Sequence, residues 1–223
     1  VTGRPKPGAT PLPLGARRSD AASGTLQDHD GRQVAALTLR GGKHVGAIGP
    51  PEGTTIAQTI RAAVDTGVPV VGTIASSGAD VVEGVSSLHA WGLVAKALTD
   101  ASGVVPTILV VVGPCVSGPA LLLGIADIVV MTEEAFAYVS GPDTVTAFTG
   151  IAVDHRTLGG AAYHDTRSGV ASLVVADEDA ARETVASLLD YLPGNHLDDP
   201  PRWAVDDPVD RDCARAATAA PAR

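Results

Sequence analysis

Apolar and polar positions follow two different periods along the middle of the chain, which predicts strands and helices in turn. Continuous apolar runs such as Val68–Ile74 and Val105–Val112 are typical of strands that are covered on both faces. Apolar residues three or four positions apart, as in Thr54–Asp65, are typical of amphipathic helices. The other predicted strands are Gln33–Leu39, His44–Ile48, Ile128–Met131, Phe136–Val139 and Val170–Val175. The other predicted helices are Asp80–Ala101, Gly118–Ile125, Pro142–Thr149 and Asp177–Tyr191. This alternation predicts an α/β layer fold with a mostly parallel sheet.

The two ends of the chain lack this periodicity. Residues 1–24 are rich in Pro, Gly and Arg and predict a flexible arm. Residues 195–223 combine aspartates, prolines and alanines and predict an irregular acidic, Ala-rich tail. The folded domain is therefore expected over residues 25–194, beginning with a hairpin whose turn is Arg40–Lys43.

The composition excludes several classes of function. Hydrophobic residues make up 45% of the 223 residues but aromatics only 3%, so Val, Ala, Leu and Ile must form the core. A net charge of −9 and few aromatics disfavour a nucleic-acid-binding face. No apolar run approaches the ~20 residues of a membrane span, and no signal-peptide core is present. Cys115 and Cys213 form neither a disulfide framework nor a zinc motif, so we expect a cytoplasmic protein without a metal site.

The first candidate site is a small-residue loop between a buried strand and a helix. It contains Ser76, Ser77, Gly78 and Ala79. Small side chains let a ligand approach the main chain, and unpaired N–H groups at the start of a helix suit an anion or a developing oxyanion. A plain strand-to-helix turn would have the same sequence, so the loop alone does not decide between these interpretations.

The second candidate site is a similar loop after the next buried strand. Gly113, Pro114 and Cys115 begin it as candidate substrate-contacting residues. If the loop donates an N–H group, Gly118 is the best candidate and Ser117 the next, because the proline that follows has no N–H. Cys115 is expected to be a small buried hydrophobic residue rather than a nucleophile. Two such loops could each direct one main-chain N–H at a thioester oxygen, with no catalytic side chain.

A third group of candidates combines glycines with polar residues. Gly141 and Pro142 precede the glycine pair Gly159 and Gly160, and His164 follows. Such glycines indicate close backbone packing near a site. His164 could act as an acid or base, but a structural hydrogen bond is favoured. The sequence contains no Gly-x-Ser-x-Gly elbow, Walker A loop, dinucleotide fingerprint or His-Glu-x-x-His helix.

Several strings of residues then identify a family. These strings are SGVVP at 102–106, VGPC at 112–115, SGPDTV at 140–145, and LGGA with a following His and SGVA over 158–171. In their order and spacing the chain resembles the carboxyltransferase (β) subunits of the biotin-dependent propionyl-, acetyl- and methylcrotonyl-CoA carboxylases. The resemblance covers about residues 25–205 and only the N-terminal half of such subunits.

The resemblance implies a fold and a set of partners. The fold would be a ClpP/crotonase-like spiral of ββα units, present here as one domain of the N-terminal carboxyltransferase type. Acyl-CoA would be the substrate, and carboxybiotin on a partner carrier protein the co-substrate, with nothing bound covalently. A second carboxyltransferase half, which these residues do not include, would receive the carboxybiotin. The resemblance further implies biotin carrier and biotin carboxylase subunits and a homotrimer or homohexamer. Ser77, Gly78 and Ala79 would line the thioester side, and Ser117 and Gly118 would face the reacting centre.

The two loops depart from the family pattern. The family usually has Asp-Ser-Gly-Gly-Ala-Arg at the first loop, where this chain has Ala75, Ser77 and Asp80 at three of the positions. In the second loop Ser117 and Pro119 replace two small residues that carry N–H groups. Three hypotheses follow: the acyl-CoA-binding half of a carboxyltransferase, a stand-alone crotonase-like decarboxylase of malonyl or methylmalonyl thioesters, or a structural subunit without catalytic activity.

Overall fold

The computed structural model describes residues 12–13, 19–29, 31–42, 44–204 and 206. Within these residues one sheet contains eight strands. The strands are β1 (Leu12–Pro13), β2 (Ala22–His29), β3 (Arg32–Leu39), β4 (Val70–Ser76), β5 (Thr107–Val116), β6 (Ile128–Thr132), β7 (Phe136–Tyr138) and β8 (Leu173–Val175). The helices are α1 (Pro50–Thr66), α2 (Val85–Ala101), α3 (Gly118–Leu122), α4 (Pro142–Thr149), α5 (His155–Gly159), α6 (Ala161–Tyr163) and α7 (Glu178–Tyr191). A 3₁₀ turn (Val81–Glu83) precedes α2, and a π-helical turn (His164–Ser168) follows α6.

The sheet is mostly parallel, as the buried apolar runs predict. β2 and β3 form an antiparallel hairpin, while β3, β4, β5, β6 and β8 run parallel in that order. β5 is long enough to pair twice. Its first half pairs with β6, and its second half pairs with β7 through Pro114, Cys115 and Val116. The loops after β4 and β5 therefore leave the sheet at the same edge, where parallel strands of α/β proteins present their ligand sites.

Two apolar layers cover the two faces of the sheet. On one face α1 and α2 pack buried side chains such as Ile60 and Leu98 against Leu109 of β5. On the other face Val185 and Leu189 of α7 pack against Ile108. Each fully buried aliphatic side chain of this kind contributes about 1.5–3 kcal/mol to folding. These layers hold β4 and β5 from both sides and so fix the positions of the loops that follow them.

The first predicted hairpin is wrong. Residues 44–48 form turns instead of a strand, and Ile48 makes only an isolated bridge with Ala79. The antiparallel partner of β3 is β2, which begins at Ala22 and therefore inside the predicted arm 1–24. The alternating residues Ser23, Thr25, Gln27 and His29 of β2 are polar, so the strand lacks the apolar pattern that strand prediction requires.

The other predicted elements differ from the structure mainly at their ends. Strand Val170–Val175 is shorter than predicted, because only Leu173–Val175 pairs with β6. The predicted helix Asp80–Ala101 is interrupted at Gly84, whose φ of 55° separates the 3₁₀ turn from α2. The start of the predicted tail contacts the domain: Asn195 donates to the carbonyl of Gly67 at 3.0 Å. The rest of the division into arm, domain and tail stays a prediction, and residues 1–11, 14–18 and 207–223 lie outside the described ranges.

Candidate active site

The first loop has most of its N–H groups occupied. Ser76 ends β4, is fully buried and donates its hydroxyl to the carbonyl of Gly46 at 2.6 Å. The same hydroxyl oxygen accepts the N–H of Gly78 at 3.2 Å. The N–H of Ser77 donates to the carbonyl of Val45 at 3.0 Å. Ser77 and Gly78 are expected to line the thioester side, and these hydrogen bonds leave neither N–H available to a ligand.

Ala79 is the exception in this loop. Ala79 is exposed, and its N–H has no hydrogen-bond partner in the part of the chain that the structure describes. The carbonyl of Gly78 accepts from the N–H of Ile48 at 2.8 Å. Because a trans peptide directs its C=O and N–H in opposite directions, the N–H of Ala79 points away from the Ile48 main chain. The loop therefore offers one main-chain donor.

The second loop has the same arrangement. Ser117 donates its N–H to the carbonyl of Tyr138 at 2.9 Å and is unavailable, although it was a predicted donor. The carbonyl of Ser117 accepts from the N–H of Ala120 at 3.1 Å. The N–H of Gly118, on that same peptide, points the opposite way and has no partner among the described residues. Since Pro119 has no N–H, Gly118 carries the unpaired N–H of this loop, and its role as a donor to a ligand stays a prediction.

The two loops touch and border one cavity. A Cβ atom added at Gly78 would lie 3.3 Å from Cβ of Ser117. The cavity has a volume of about 430 Å³, and Ala79, Ser117 and Gly118 all line it. Its apolar wall is made by Ile48, Val81, Leu88, Trp91, Leu121 and Val139. Two unpaired N–H groups beside a largely apolar cavity can stabilise a negatively charged oxygen more strongly than they could in water.

Asp80 also borders this cavity, at the position where the resembled family has an arginine. Its carboxylate lies 2.8 Å from Nδ1 of His44 and accepts the N–H of Val82 at 3.0 Å. The negative charge that the substitution introduces is therefore paired with the His44 ring and the Val82 N–H.

Cys115 lies in the core, as the sequence predicts. Its side chain is completely buried, and burial raises the pKa of its thiol to about 12. The thiol is therefore protonated at neutral pH and cannot act as a thiolate nucleophile. Gly113 and Pro114 precede it on β5, where Pro114 pairs with Phe136. These three candidate substrate-contacting residues do not line the cavity next to Ala79 and Gly118.

The residues of the third candidate group do not line the cavity. The ring nitrogens of His164 lie 2.8 Å from the carbonyl of Ala137 and 2.7 Å from the hydroxyl of Ser168, so both are engaged in structural contacts. A Cβ atom at Gly159 would come within 2.0 Å of the Ala137 carbonyl oxygen, which explains the glycine there. The remaining members lie at helix ends outside the cavity: Gly141, Pro142 and Gly160.

The sequence predicts helix α2 but not that its side chains line the cavity. Leu88 and Trp91 of α2 line it. Their spacing of three residues places them on one helix face, a signal that was present in the sequence. In the described ranges, no group of three or more His, Cys, Asp or Glu side chains could hold a metal ion. The helices of those ranges are likewise too short or too polar to cross a membrane.

Known proteins match this chain in both structure and sequence. A solved transcarboxylase 12S structure, described as a hexamer with hydrolysed methylmalonyl-coenzyme A bound, superposes with a TM-score of 0.81 at 29% identity and covers 90% of this chain and 41% of its own. The fold is therefore that of a crotonase-like carboxyltransferase domain. The family model described as "Carboxyl transferase domain" matches residues 21–223, and the chain belongs to that family.

Curated relatives agree with this assignment. The propionyl-CoA carboxylase carboxyltransferase subunit of Haloferax mediterranei is 36% identical over 183 residues, which are 80% of this chain and 35% of the relative. The methylmalonyl-CoA decarboxylase subunit alpha of Veillonella parvula is 34% identical over 185 residues, or 82% of this chain and 36% of the relative. The chain thus spans about a third of the length of the curated relatives it matches.

Proposed function

We propose that this chain is the acyl-CoA-binding half of the carboxyltransferase of a biotin-dependent acyl-CoA carboxylase. In this proposal the N–H groups of Ala79 and Gly118 bind the thioester oxygen. The observation that carries it is the pair of unpaired amides on touching loops beside one apolar cavity. Membership of the carboxyl transferase domain family supports the reaction class.

The proposed chemistry places negative charge where these amides lie. When the α-carbon of the acyl group loses its proton, the charge of the resulting enolate falls largely on the thioester oxygen. Each preorganised N–H donor to such an oxygen is worth about 3–4 kcal/mol. The carboxyl group then passes from the N1 atom of carboxybiotin to the α-carbon, and the proton lost by the α-carbon returns to the biotin ring.

Carboxybiotin would come from other polypeptides. In the proposed assembly a biotin carrier delivers it, a biotin carboxylase subunit supplies it, and a second carboxyltransferase half binds it. The relative from Haloferax mediterranei is itself named as a subunit. This chain would then supply the acyl-CoA side of a site that two halves complete.

The oxyanion role can be tested with a substitution that removes one main-chain N–H. We expect Ala79→Pro to lower kcat for acyl-CoA carboxylation by about 10²–10³-fold, because proline has no N–H. Fixation of labelled bicarbonate by the chain, co-expressed with the carrier, the carboxylase and the second half, measures this. Ala79→Ser, which keeps the N–H at an exposed position, is the matched control. Equal rates for the two variants would exclude the role.

A second candidate function is decarboxylation of a malonyl or methylmalonyl thioester. It needs one oxyanion pair and no carboxybiotin, and the Veillonella parvula relative is named as a methylmalonyl-CoA decarboxylase subunit. Release of CO₂ from methylmalonyl-CoA by the purified chain alone would favour it over carboxyl transfer. The third hypothesis, a structural subunit, predicts that calorimetry detects no binding of acyl-CoA.

A further inference from the structure

We propose that Ser87 and Trp91 of helix α2 are positioning residues that hold the two donor loops at a fixed separation. The hydroxyl of Ser87 donates to the carbonyl of Asp80, next to Ala79, at 2.5 Å. The indole Nε1 of Trp91 donates to the carbonyl of Gly118 at 2.8 Å. One helix thus binds both loops, and the inference rests on the proposed oxyanion role of those loops.

The spacing along α2 suits this task. Ser87 and Trp91 are four residues apart, so they lie on the same face of the helix and about 6 Å apart along its axis. The helix between them is anchored in the core, because Ala90 and Val94 are 1% exposed. Ser87 is equally buried. A rigid, packed helix therefore transmits a constant distance from the first loop to the second.

The hydrogen bond of Ser87 completes the fixing of the first loop. The N–H of Asp80 donates to the carbonyl of Ile48 at 3.0 Å, while the carbonyl of Asp80 accepts from Ser87. With both its main-chain groups bound, Asp80 cannot rotate. The carbonyl of Gly78 is bound to Ile48 as well, so the peptide that carries the N–H of Ala79 is held from both sides.

Trp91 fixes the second loop by contact and by hydrogen bond. A Cβ atom at Gly118 would lie 2.8 Å from Cδ1 of the indole, so the ring lies directly against the Gly118 backbone. Gly118, as a glycine, would otherwise be the most mobile residue of this loop. The indole restricts it at the carbonyl, and the bonds of Ser117 restrict it on the other side. Small misplacements of such groups reduce rates strongly, so this restraint matters for the donor geometry.

A spectroscopic measurement tests the hydrogen bond directly and needs no activity. The chain contains two tryptophans, Trp91 and the exposed Trp203. In ¹⁵N-labelled protein we expect the indole N–H of Trp91 to exchange with D₂O at least ten times more slowly than that of Trp203. The variant Trp203→Phe assigns the two signals. Equal exchange rates would overturn the proposal, whatever the reaction of the protein.

A binding experiment tests the consequence for the site. The probes are propionyl-CoA and a nitroalkyl thioether of CoA, whose ionised nitronate imitates the enolate oxygen. We expect Trp91→Phe to weaken binding of the nitronate about tenfold while the Kd for propionyl-CoA changes less than twofold. Ser87→Ala should act in the same direction, and Trp203→Phe is the matched control with no effect. Circular dichroism verifies that each variant is folded.

The outcomes separate this inference from the proposed function. If the wild-type chain binds the nitronate more tightly than propionyl-CoA and both variants keep that preference, the positioning role is excluded while the oxyanion site stands. If the wild-type chain shows no preference, the oxyanion site is excluded, and the indole exchange rate still decides whether Trp91 holds the loop. Loss of the preference in both variants supports the positioning role.

Discussion

Ser117 holds a backbone conformation that side chains rarely adopt. Its φ and ψ are 61° and −127°, and only Val45 shares a positive φ among the non-glycine residues of the described ranges. The resembled family has a small residue in this part of the loop, and a backbone of this kind favours glycine. Keeping it with serine costs of order 1–3 kcal/mol, so the conformation that directs the N–H of Gly118 is maintained against strain.

The strain at Ser117 predicts a stabilising substitution. We expect Ser117→Gly to raise the free energy of unfolding by about 1 kcal/mol, because the relief of strain exceeds the 0.5–1 kcal/mol that glycine costs in conformational freedom. Thermal unfolding should show a Tm higher by about 2–4 °C. The control is Ser77→Gly, in the neighbouring loop at an unstrained φ, which should lower Tm because it removes the hydrogen bond to the His44 carbonyl. A lower Tm for both variants would contradict the assignment of strain.

Burial of Cys115 predicts both its reactivity and a pH dependence. With a pKa of about 12 the folded thiol stays protonated, whereas the unfolded thiol ionises above pH 9. The raised pKa of the folded thiol therefore makes its full contribution to the free energy of unfolding below pH 9. This contribution is lost as the pH rises towards 12. We expect the stability difference between wild type and Cys115→Ala to shrink over that range. At pH 8 iodoacetamide should modify Cys115 in concentrated urea but not in the folded protein. Modification of Cys115, as distinct from Cys213, without urea would exclude a buried thiol.

At the scale of residues, the sequence predicts the loops but not which of their N–H groups stay unpaired. Small residues after buried strands identify both loops, and the missing N–H of Pro119 already favours Gly118. That Ala79 alone is free in the first loop depends on the hydroxyl of Ser76 and the carbonyl of Val45, which occupy the two preceding N–H groups. The carbonyl of Val45 comes from a distant part of the chain, about which local sequence patterns carry no information. The hydroxyl of Ser76 is only two residues from Gly78, but its own hydrogen bond is to the distant carbonyl of Gly46.

At the scale of elements, the contact between α1 and α2 fixes the position of the cavity wall. A Cβ atom at Gly53 of α1 would lie 2.7 Å from both Cβ and the carbonyl oxygen of Ala90. Gly92 of α2 has no atom within 4 Å of its added Cβ. The first glycine is therefore needed for close approach of the helices, and the second is not.

These two glycines make a matched pair for substitution. We expect Gly53→Ala to lower the free energy of unfolding by about 1–3 kcal/mol through overpacking. Gly92→Ala should raise it by about 0.5–1 kcal/mol, because alanine has the higher helix propensity and meets no neighbour. Urea denaturation of both variants measures the difference. Effects of the same sign would show that helix packing at Gly53 is looser than these distances require.

The predicted and observed elements agree where burial dominates the pattern. Val68–Ile74 and Val105–Val112 were predicted from continuous apolar runs and correspond to β4 and β5, which are covered on both faces. The prediction fails at His44–Ile48, whose short apolar segment is held in turns by hydrogen bonds to the loop after β4. It also fails to find β2, whose polar face contributes little to the core. Strand pairing at the edge of this sheet is thus decided by tertiary contacts.

At the scale of the whole molecule, the mouth of the cavity is apolar and exposed. Val81 is 87% exposed and Leu88 is 64% exposed, and Leu121 lines the same cavity. Exposed apolar patches of this kind usually mark interfaces. Since this surface surrounds the proposed oxyanion donors, a polypeptide bound there would also close the cavity to water and strengthen the field of the two amides.

We therefore expect the chain to associate through this mouth. Light scattering at micromolar concentration should give a mass well above that of one chain, and the transcarboxylase 12S relative is described as a hexamer. The double variant Val81→Asp with Leu88→Asp should shift the mass towards the monomer without unfolding the protein, because both side chains are exposed. Leu197→Asp is the control, because Leu197 is also exposed but lies at the opposite end of the sheet. It follows Asn195, which is bound to Gly67 just before the start of β4. A monomeric wild type, or equal effects of the two changes, would show that this surface is not the interface.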